Sequence, residues 1–293
     1  MILNKKSQVM CNLILCPVCK SNNIIIFFTD NRNRFELLKC NECKLQFKRS
    51  ANKINYENLD FDDYSIYNFS RKNEVKDLIK ILKSYDFENE NLSVLEIGCG
   101  TGSLLNEFHN YGIHKLYGIE PSQVACDYAK ETFNLNIING YFSHNSLSEK
   151  VDIIILYDVI EHLNKPHALF YEIGKYMTKD TLLLIKTGNT SSLNAKVSKS
   201  HWRYYQGEQH VVFYNKKSLK NLLNQHNLEI VNFYFFKHAY GGVHLRFFLK
   251  KIIKGLIVRV LFWLNLYVNK NNSYSVALVN DHFIAAIRKK HIG

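Results

Sequence analysis

Val94-Leu95-Glu96-Ile97-Gly98-Cys99-Gly100-Thr101-Gly102 is the stretch from which the rest of the chain is read. An apolar run of strand type ends in glycines at alternate positions, and a helical pattern over 103–110 begins at once. That order makes a strand, a tight turn and a helix start. Without a Cβ the glycines tolerate unusual backbone angles and let a ligand lie close to the main chain. The first N–H groups of the helix have no partner inside it and point at that ligand. A second strand, Lys115-Leu116-Tyr117-Gly118-Ile119-Glu120, ends in a carboxylate placed to accept hydrogen bonds from both hydroxyls of a ribose. The spacing is Gly-x-Gly-x-Gly, not the dinucleotide Gly-x-Gly-x-x-Gly, and no Gly-Lys-Ser/Thr marks a phosphate loop. Glu96, inside the strand, would repel a phosphate and suits a cationic ligand end such as an amino group.

With Gly118-Ile119-Glu120-Pro121-Ser122, this stretch resembles the first motif and the acidic second-strand motif of class I S-adenosylmethionine-dependent methyltransferases. The resemblance covers roughly residues 70–239 and the C-terminal strand. It implies S-adenosylmethionine as methyl donor, held by Glu96, Gly98, Cys99, Gly100 and Gly102 around the turn and by Glu120 and Pro121 beyond the second strand. Enzymes of this class carry an acid after the third strand for the adenine amino group. Asn139-Gly140-Tyr141-Phe142 has none, so adenine contacts fall to the backbone and to Tyr141 and Phe142. The patterning agrees: strands at 93–97, 115–120, 135–138, 151–156, 181–186 and 228–236 alternate with helices at 103–110, 122–133, 166–177 and 216–226. Such alternation predicts an α/β fold, a parallel sheet with helices on both faces. The resemblance makes it a Rossmann-like, seven-stranded methyltransferase sheet, with Asp281–Arg288 as a last strand inserted antiparallel between strands five and six.

Val151–Leu163 is the second informative stretch. Its buried strand delivers Tyr157, Asp158, Glu161 and His162 to the carboxyl end of the sheet. It resembles the fourth motif of ubiquinone-biosynthesis O-methyltransferases and their sugar-modifying relatives, which places Tyr157 and Asp158 beside the cofactor. Several roles are open. His162 is suited to general-base work because its pKa lies near neutrality. Asp158 and Glu161 are suited to positioning an acceptor. The three together are suited to a divalent cation that polarises the acceptor oxygen, as in some of those enzymes. A purely structural role, capping the next segment beneath the cofactor, is open too. Farther on, His201–Tyr214 reads as an aromatic, polar loop on the substrate side, with His210 as a second general base and Trp202, Arg203 and Tyr205 as acceptor contacts. The Asn/Asp-Pro-Pro-Tyr/Phe motif of enzymes acting on planar nitrogens is absent, which favours oxygen or carbon acceptors.

Cys16-Pro17-Val18-Cys19 and Cys40-Asn41-Glu42-Cys43 are two Cys-x-x-Cys pairs twenty residues apart. Two such turns facing each other make a closed tetrahedral thiolate site, structural and without an open position. Short strands over 24–28 and 35–38 complete a zinc ribbon. With seven cysteines and no evident export signal, the composition points to a reducing, cytoplasmic setting.

The chain of 293 residues carries a net charge of +12, which favours anionic partners: nucleic acid, phosphorylated substrates or an anionic membrane surface. Part of the charge sits with apolar residues in His244–Val268, where Arg246, Lys250 and Lys254 oppose Leu249, Ile252, Leu256, Val260 and Trp263 at helical spacing. This predicts either a helix lying on the inner face of a membrane, with Trp263 and Tyr267 at headgroup depth, or one packed on the core or on a second subunit. The domains expected are therefore a zinc ribbon over 1–50 and a linker and N-terminal helix over 51–92. Within that linker, Tyr64 or Tyr67 either covers the cofactor or packs the ribbon against the domain. The methyltransferase domain spans 93–239 and 274–293, and a basic amphipathic helical insertion spans 240–273. The function expected is methylation of a hydroxyl or carbon on a small molecule, a sugar, glycan, lipid-linked acceptor or phenol. The alternatives are methylation of a ribosomal RNA base and a non-catalytic S-adenosylmethionine-binding scaffold. The basic residues gather with apolar side chains and not with stacking aromatics, which weighs against nucleic acid.

Overall fold

A computed structural model describes residues 14–30, 35–49, 55–58, 71–87, 91–235, 243–244, 267–268, 275–277 and 281–290. The large sheet has seven strands: β4 (Ser93–Ile97), β5 (Lys115–Glu120), β6 (Ile137–Asn139), β7 (Ile153–Tyr157), β8 (Leu182–Gly188), β10 (Leu228–Tyr234) and β14 (His282–Lys289), in the order β10-β14-β8-β7-β4-β5-β6. The pairings among β4 to β8 are parallel. β14 runs antiparallel to both β8 and β10. The last strand thus enters where the sequence places it, between the fifth and sixth.

The apolar runs explain the layering. β7 and β8 are buried along their whole length, as strands covered on both faces must be. On one face the helix Lys72–Lys83 buries Val75, Leu78, Ile79 and Leu82 with Leu104 and Phe108 against Val94, Ile153 and Ile155. On the other, Leu95, Ile154, Leu156 and Leu183 pack with Phe170, Ile173, Leu219 and Leu222 from the helices Pro166–Tyr176 and Lys216–Asn224. Helix starts are set locally: Ser122 Oγ accepts from the Ala125 amide, and Asn215 with Ser218 closes a reciprocal capping box. The chain leaves β4 toward β5 and β6, then returns to β7 on the other side of β4. That reversal puts the ligand crevice at the carboxyl ends of β4 and β7.

The N-terminal module is more than the two expected strands. β1 (Ile24–Asp30), β2 (Phe35–Cys40) and β3 (Gln46–Lys48) form a sheet with β9 (Val212–Phe213), in the order β1-β2-β3-β9. The segment expected as an aromatic loop is accordingly folded. A helix over Arg203–Gln206 precedes β9, and Trp202, Tyr205 and Phe213 are buried together with Phe35 and Leu37. Trp202 and Tyr205 are therefore core residues and not acceptor contacts. Asp281, just before β14, holds this region to the sheet. Its carboxylate accepts from Ser192 Oγ (3.0 Å), Asn194 Nδ2 (2.7 Å) and Trp202 Nε1 (3.4 Å).

The helix expected across His244–Val268 does not reach its ends. β11 (Val243–His244), β12 (Tyr267–Val268) and β13 (Ser275–Ala277) are strands of a small antiparallel sheet. Tyr267 is thus in a strand and not on a helix at a membrane surface. The basic run 246–259 and Trp263 lie outside the described residues, as do Tyr64 and Tyr67. Among the described residues no helix is long and apolar enough to cross a membrane. Replacing Asp281 with Ala strands three buried donors and should destabilise the fold by about 3 kcal/mol, read from the urea midpoint. A loss below about 0.5 kcal/mol would contradict this role for Asp281.

Candidate functional site

The glycine turn closes tightly over the ends of β4 and β5. The Gly98 and Cys99 amides both donate to the Ile119 carbonyl, at 2.7 and 3.3 Å. Gly98 has φ 73°, and a Cβ there would meet Val159 Cγ2 at 2.8 Å; Gly102 has φ 75° and would meet Leu135 at 2.7 Å. Both positions exclude a side chain on backbone and packing grounds. Cys99 is buried, its sulfur against the α-carbon side of Gly118, so its part in the turn is to fill space.

Both acids of the turn are buried. Glu120 accepts from the Gly100 amide through Oε2 (2.9 Å) and from the Ser122 amide through Oε1 (3.0 Å). It therefore ties the turn to the second strand. Pro121 follows it, half-buried, its carbonyl accepting from Asn139 Nδ2 (3.0 Å). Glu96 is different. Its Oε2 is buried without a hydrogen-bond partner among the described residues. Burial pushes its carboxyl up to about 8, Arg71 pulling it back and Glu120 adding to the rise. An orphaned buried carboxylate oxygen beneath a glycine turn fits the amino group of S-adenosylmethionine. Glu120 fits its ribose, so the residues present suit this cofactor. After β6, Tyr141 is 64% exposed and free to stack on a base, whereas Phe142 is buried against Tyr176 and is not.

β7 ends in a polar cluster. The Tyr157 ring is contacted by Lys186 Nζ, 4.2 Å from its centroid, and by the Arg71 guanidinium at 5.1 Å. Asp158 adopts φ 57°, a left-handed conformation that costs a non-glycine residue energy and recurs at functional sites. Its carboxylate pairs with Lys186 Nζ at 2.7 Å. Burial works against its charge, but Lys186, with His282 and Arg71, holds the carboxyl down to about 2. Glu161 turns inward, fully buried. Oε1 accepts from Tyr204 Oη (2.6 Å) and Oε2 from Thr187 Oγ1 (3.0 Å). Burial and the Asp158 charge push it up to about 8 against those hydrogen bonds.

The two histidines meet here, with ring centroids 5.0 Å apart. His162 Nδ1 donates to the Gln209 carbonyl (3.1 Å) and His210 Nδ1 to the Tyr204 carbonyl (2.8 Å). These acceptors fix the tautomers and make Nε2 the basic atom of each neutral ring. Burial lowers both, His162 to about 3, so both are neutral at pH 7, and His162 is a much weaker base than the near-neutral value expected from the sequence. The ligand atoms of Glu161, His162 and His210 lie within 4.8 Å of one another. Asp158, expected beside Glu161 and His162 in a cation site, is instead engaged by Lys186.

Three residues of this cluster escaped the sequence reading. Lys186 was legible, as a lone charge directly after the apolar run Leu182–Ile185 within one strand. Arg71 and Tyr204 had no local signal, because each reaches the cluster only through the fold.

In the N-terminal module, packed in one core with Ile160, Val211 and Tyr214, the four cysteines converge. Cys16 Sγ lies 3.5 Å from Cys43 Sγ, and Cys19 Sγ 3.4 Å from Cys40 Sγ, with all four sulfurs within 4.8 Å. Lys20 (φ 61°) and Lys44 (φ 64°) turn the two knuckles in the same way, each amide donating to the carbonyl of the first cysteine of its pair. The Cys43 thiol outweighs burial and pulls Cys16 down to about 5, favouring the thiolate a metal needs. The donor set fits a tetrahedral zinc ion.

Comparison with known proteins agrees with this geometry. A family model described as a methyltransferase domain matches residues 67–232. No curated protein matches the chain. An S-adenosylmethionine-dependent methyltransferase from Archaeoglobus fulgidus is similar in structure at TM-score 0.52 and 19% identity, over 78% of this chain and 99% of that one. A Bacillus halodurans C-125 protein assigned as a methyltransferase is similar at TM-score 0.52 and 15% identity, over 74% of this chain and 100% of that one. At such identities the likeness is one of fold. The family model spans more than half of the sequence, and the chain belongs to the methyltransferase-domain family.

Proposed function

We propose that this methyltransferase uses S-adenosylmethionine to methylate a hydroxyl, or an activated carbon, of a small-molecule acceptor of the sugar, glycan or phenol class. The observation that carries the donor is the orphaned Oε2 of Glu96 beneath the glycine turn, with Glu120 at the next strand tip. When bound, the donor supplies a sulfonium-activated methyl group for in-line displacement. The chain's own residues supply alignment and proton handling. Glu96 takes the cationic amino group, Glu120 the ribose hydroxyls and Tyr141 the base, with the Gly98–Gly102 backbone and Pro121 lining the cleft and Tyr157 and Asp158 closing its floor. His162 and His210 accept the acceptor's proton at Nε2, being neutral and bare there at pH 7. Glu161 and Asp158 position the acceptor through their networks with Tyr204, Thr187 and Lys186. Oxygen or carbon acceptors are supported by the absence of an Asn/Asp-Pro-Pro-Tyr/Phe sequence, and a lipid-linked acceptor by the basic, apolar composition of 246–259. In the N-terminal module, Cys16, Cys19, Cys40 and Cys43 hold one structural zinc.

A second reading is favoured by one observation, the approach of Glu161, His162 and His210. These three residues would hold a divalent cation that polarises the acceptor oxygen, and transfer would then require added Mg2+ or Mn2+.

Three outcomes are expected. Calorimetry with S-adenosylmethionine should show affinity reduced about tenfold or more in Glu96→Gln and in Glu120→Ala, the loss of at least one charge-assisted hydrogen bond each. Affinity equal to wild type in both would remove the donor assignment.

In a methyl-transfer screen over nucleotide sugars, polyprenyl glycans, phenols and RNA, His162→Ala and His210→Ala should retain cofactor binding. With an active acceptor, each should lose about 100-fold or more in turnover. Undiminished turnover in both would sink their assignment, and transfer to RNA alone would replace the acceptor class.

The third outcome concerns pH. His162 titrates near 3 in the folded chain and near 6.5 when unfolded, so between these values the unfolded chain binds more protons. Stability therefore rises with pH through that window and is complete above it. Falling from pH 6.5 to 5, wild type should lose up to about 2 kcal/mol relative to His162→Gln, measured by urea unfolding. Parallel curves would contradict a buried neutral His162.

A further inference from the structure

The four-cysteine module is joined to the transfer site by a continuous set of hydrogen bonds. The second knuckle, Cys40–Lys44, leads directly into β3. β3 pairs with β9 through Gln46↔Phe213 and Phe47↔Val212. The Lys48 amide donates to the Val211 carbonyl at 2.9 Å. Lys48 Nζ, almost wholly buried over the Phe35 ring, donates to the Gly207 carbonyl at 2.7 Å. Tyr205 Oη donates to Gln46 Oε1 at 2.5 Å, and Asn215 Nδ2 to the Lys44 carbonyl at 2.8 Å. The first knuckle is held as well: His167 Nε2 and Gln225 Nε2 both donate to the Val18 carbonyl, at 2.8 and 3.2 Å.

The segment that β3 holds is the one that orients both histidines. Gly207–Phe213 contains His210, whose ring packs over Gly207 so closely that a Cβ there would meet Nδ1 at 3.1 Å. The Gln209 carbonyl accepts from His162 Nδ1, and the Val211 amide donates to the Glu161 carbonyl at 2.9 Å. The backbone of this short segment thus bonds to β3 on one side and to Glu161 and His162 on the other. A three-residue strand and a two-residue strand do not hold each other unaided. β3 is held on its other side by β2, through Leu37↔Lys48, Leu38↔Phe47 and Lys39↔Gln46, and the second knuckle is the turn that joins these two strands; a four-thiolate metal site stabilises a module of this size.

We propose that the four-cysteine module is a positioning element of the transfer site: the metal held by Cys16, Cys19, Cys40 and Cys43 fixes β3, and Gln46 and Lys48 of β3 fix the Gly207–Phe213 segment that orients His162 and His210. This rests on reading those histidines as the acceptor end. The cofactor turn is outside the relay, since Gly98, Cys99 and Gly100 are tied to β5.

Hydrogen exchange of the full chain, read by mass spectrometry with zinc content measured in parallel, tests this. On zinc removal by a chelator, peptides covering 160–163 and 205–213 should exchange about tenfold faster or more. Peptides covering 94–102 should stay within about twofold, and S-adenosylmethionine affinity by calorimetry within about threefold. Retained protection in 205–213 after the metal has gone would overturn the proposal. Lys48→Met, still holding one zinc, separates positioning from general stability. It should loosen 205–213 while leaving 35–45 and 94–102 protected, and Lys48→Arg should restore protection. Loosening of all three regions together, or of none, in Lys48→Met would also overturn it. None of these readings uses transfer activity, so a failure of the histidine assignment shows separately, in the turnover of His162→Ala and His210→Ala.

Discussion

A carboxyl oxygen buried without a hydrogen-bond partner among the described residues is the constraint around which this molecule is arranged. Glu96 sits inside a parallel strand, where burial disfavours its charge, and its Oε2 meets no donor among the described residues. Glu120, one strand over, is buried as well but accepts two backbone amides. Together they surround a glycine turn with carboxyl oxygens suited to a cation and a diol, the opposite of a phosphate-binding turn built on amides alone. The sheet order makes this place a crevice, because the chain departs from β4 to one side and returns to β7 on the other.

The far wall of the crevice balances its charges in pairs. Lys186 keeps Asp158 ionised, while Tyr204 and Thr187 satisfy a Glu161 that burial keeps protonated near neutral pH. His162 and His210, half-buried, stay neutral with Nε2 as the basic atom. The result is a site with proton acceptors available and little net charge, suited to a neutral hydroxyl. Its rigidity comes from elsewhere: from Asp281 on one side, and from β3 of the four-cysteine module on the other.

Much of this was legible in the sequence, for physical reasons that also mark where legibility ended. Val94–Gly102 and Val151–His162 declare themselves because strand burial, glycine geometry and acid placement are local properties of a few consecutive residues. The cysteine knuckles do so because metal ligation fixes their spacing. β3 and β9 left no such trace, being too short for periodicity and paired across the chain; Lys48 and Gly207 are 159 residues apart in sequence yet hydrogen-bonded. The same pairing explains why 201–214 resembles an exposed aromatic loop in sequence but is core in the fold. Trp202 and Tyr205 pack under the module whose existence was read separately. Lys186 alone was within reach, as a charge in a run of buried aliphatics.

The raised Glu96 carboxyl offers the most direct test of the account. At pH 7 a group near 8 is mostly protonated, and a cationic amino group placed on it would expel the proton. Calorimetry of S-adenosylmethionine binding in buffers of different ionisation enthalpy counts that proton. The account predicts release of about one proton per chain at pH 7, falling to about zero in Glu96→Gln. Binding with no proton release in the wild-type chain, or release undiminished in the variant, would contradict it.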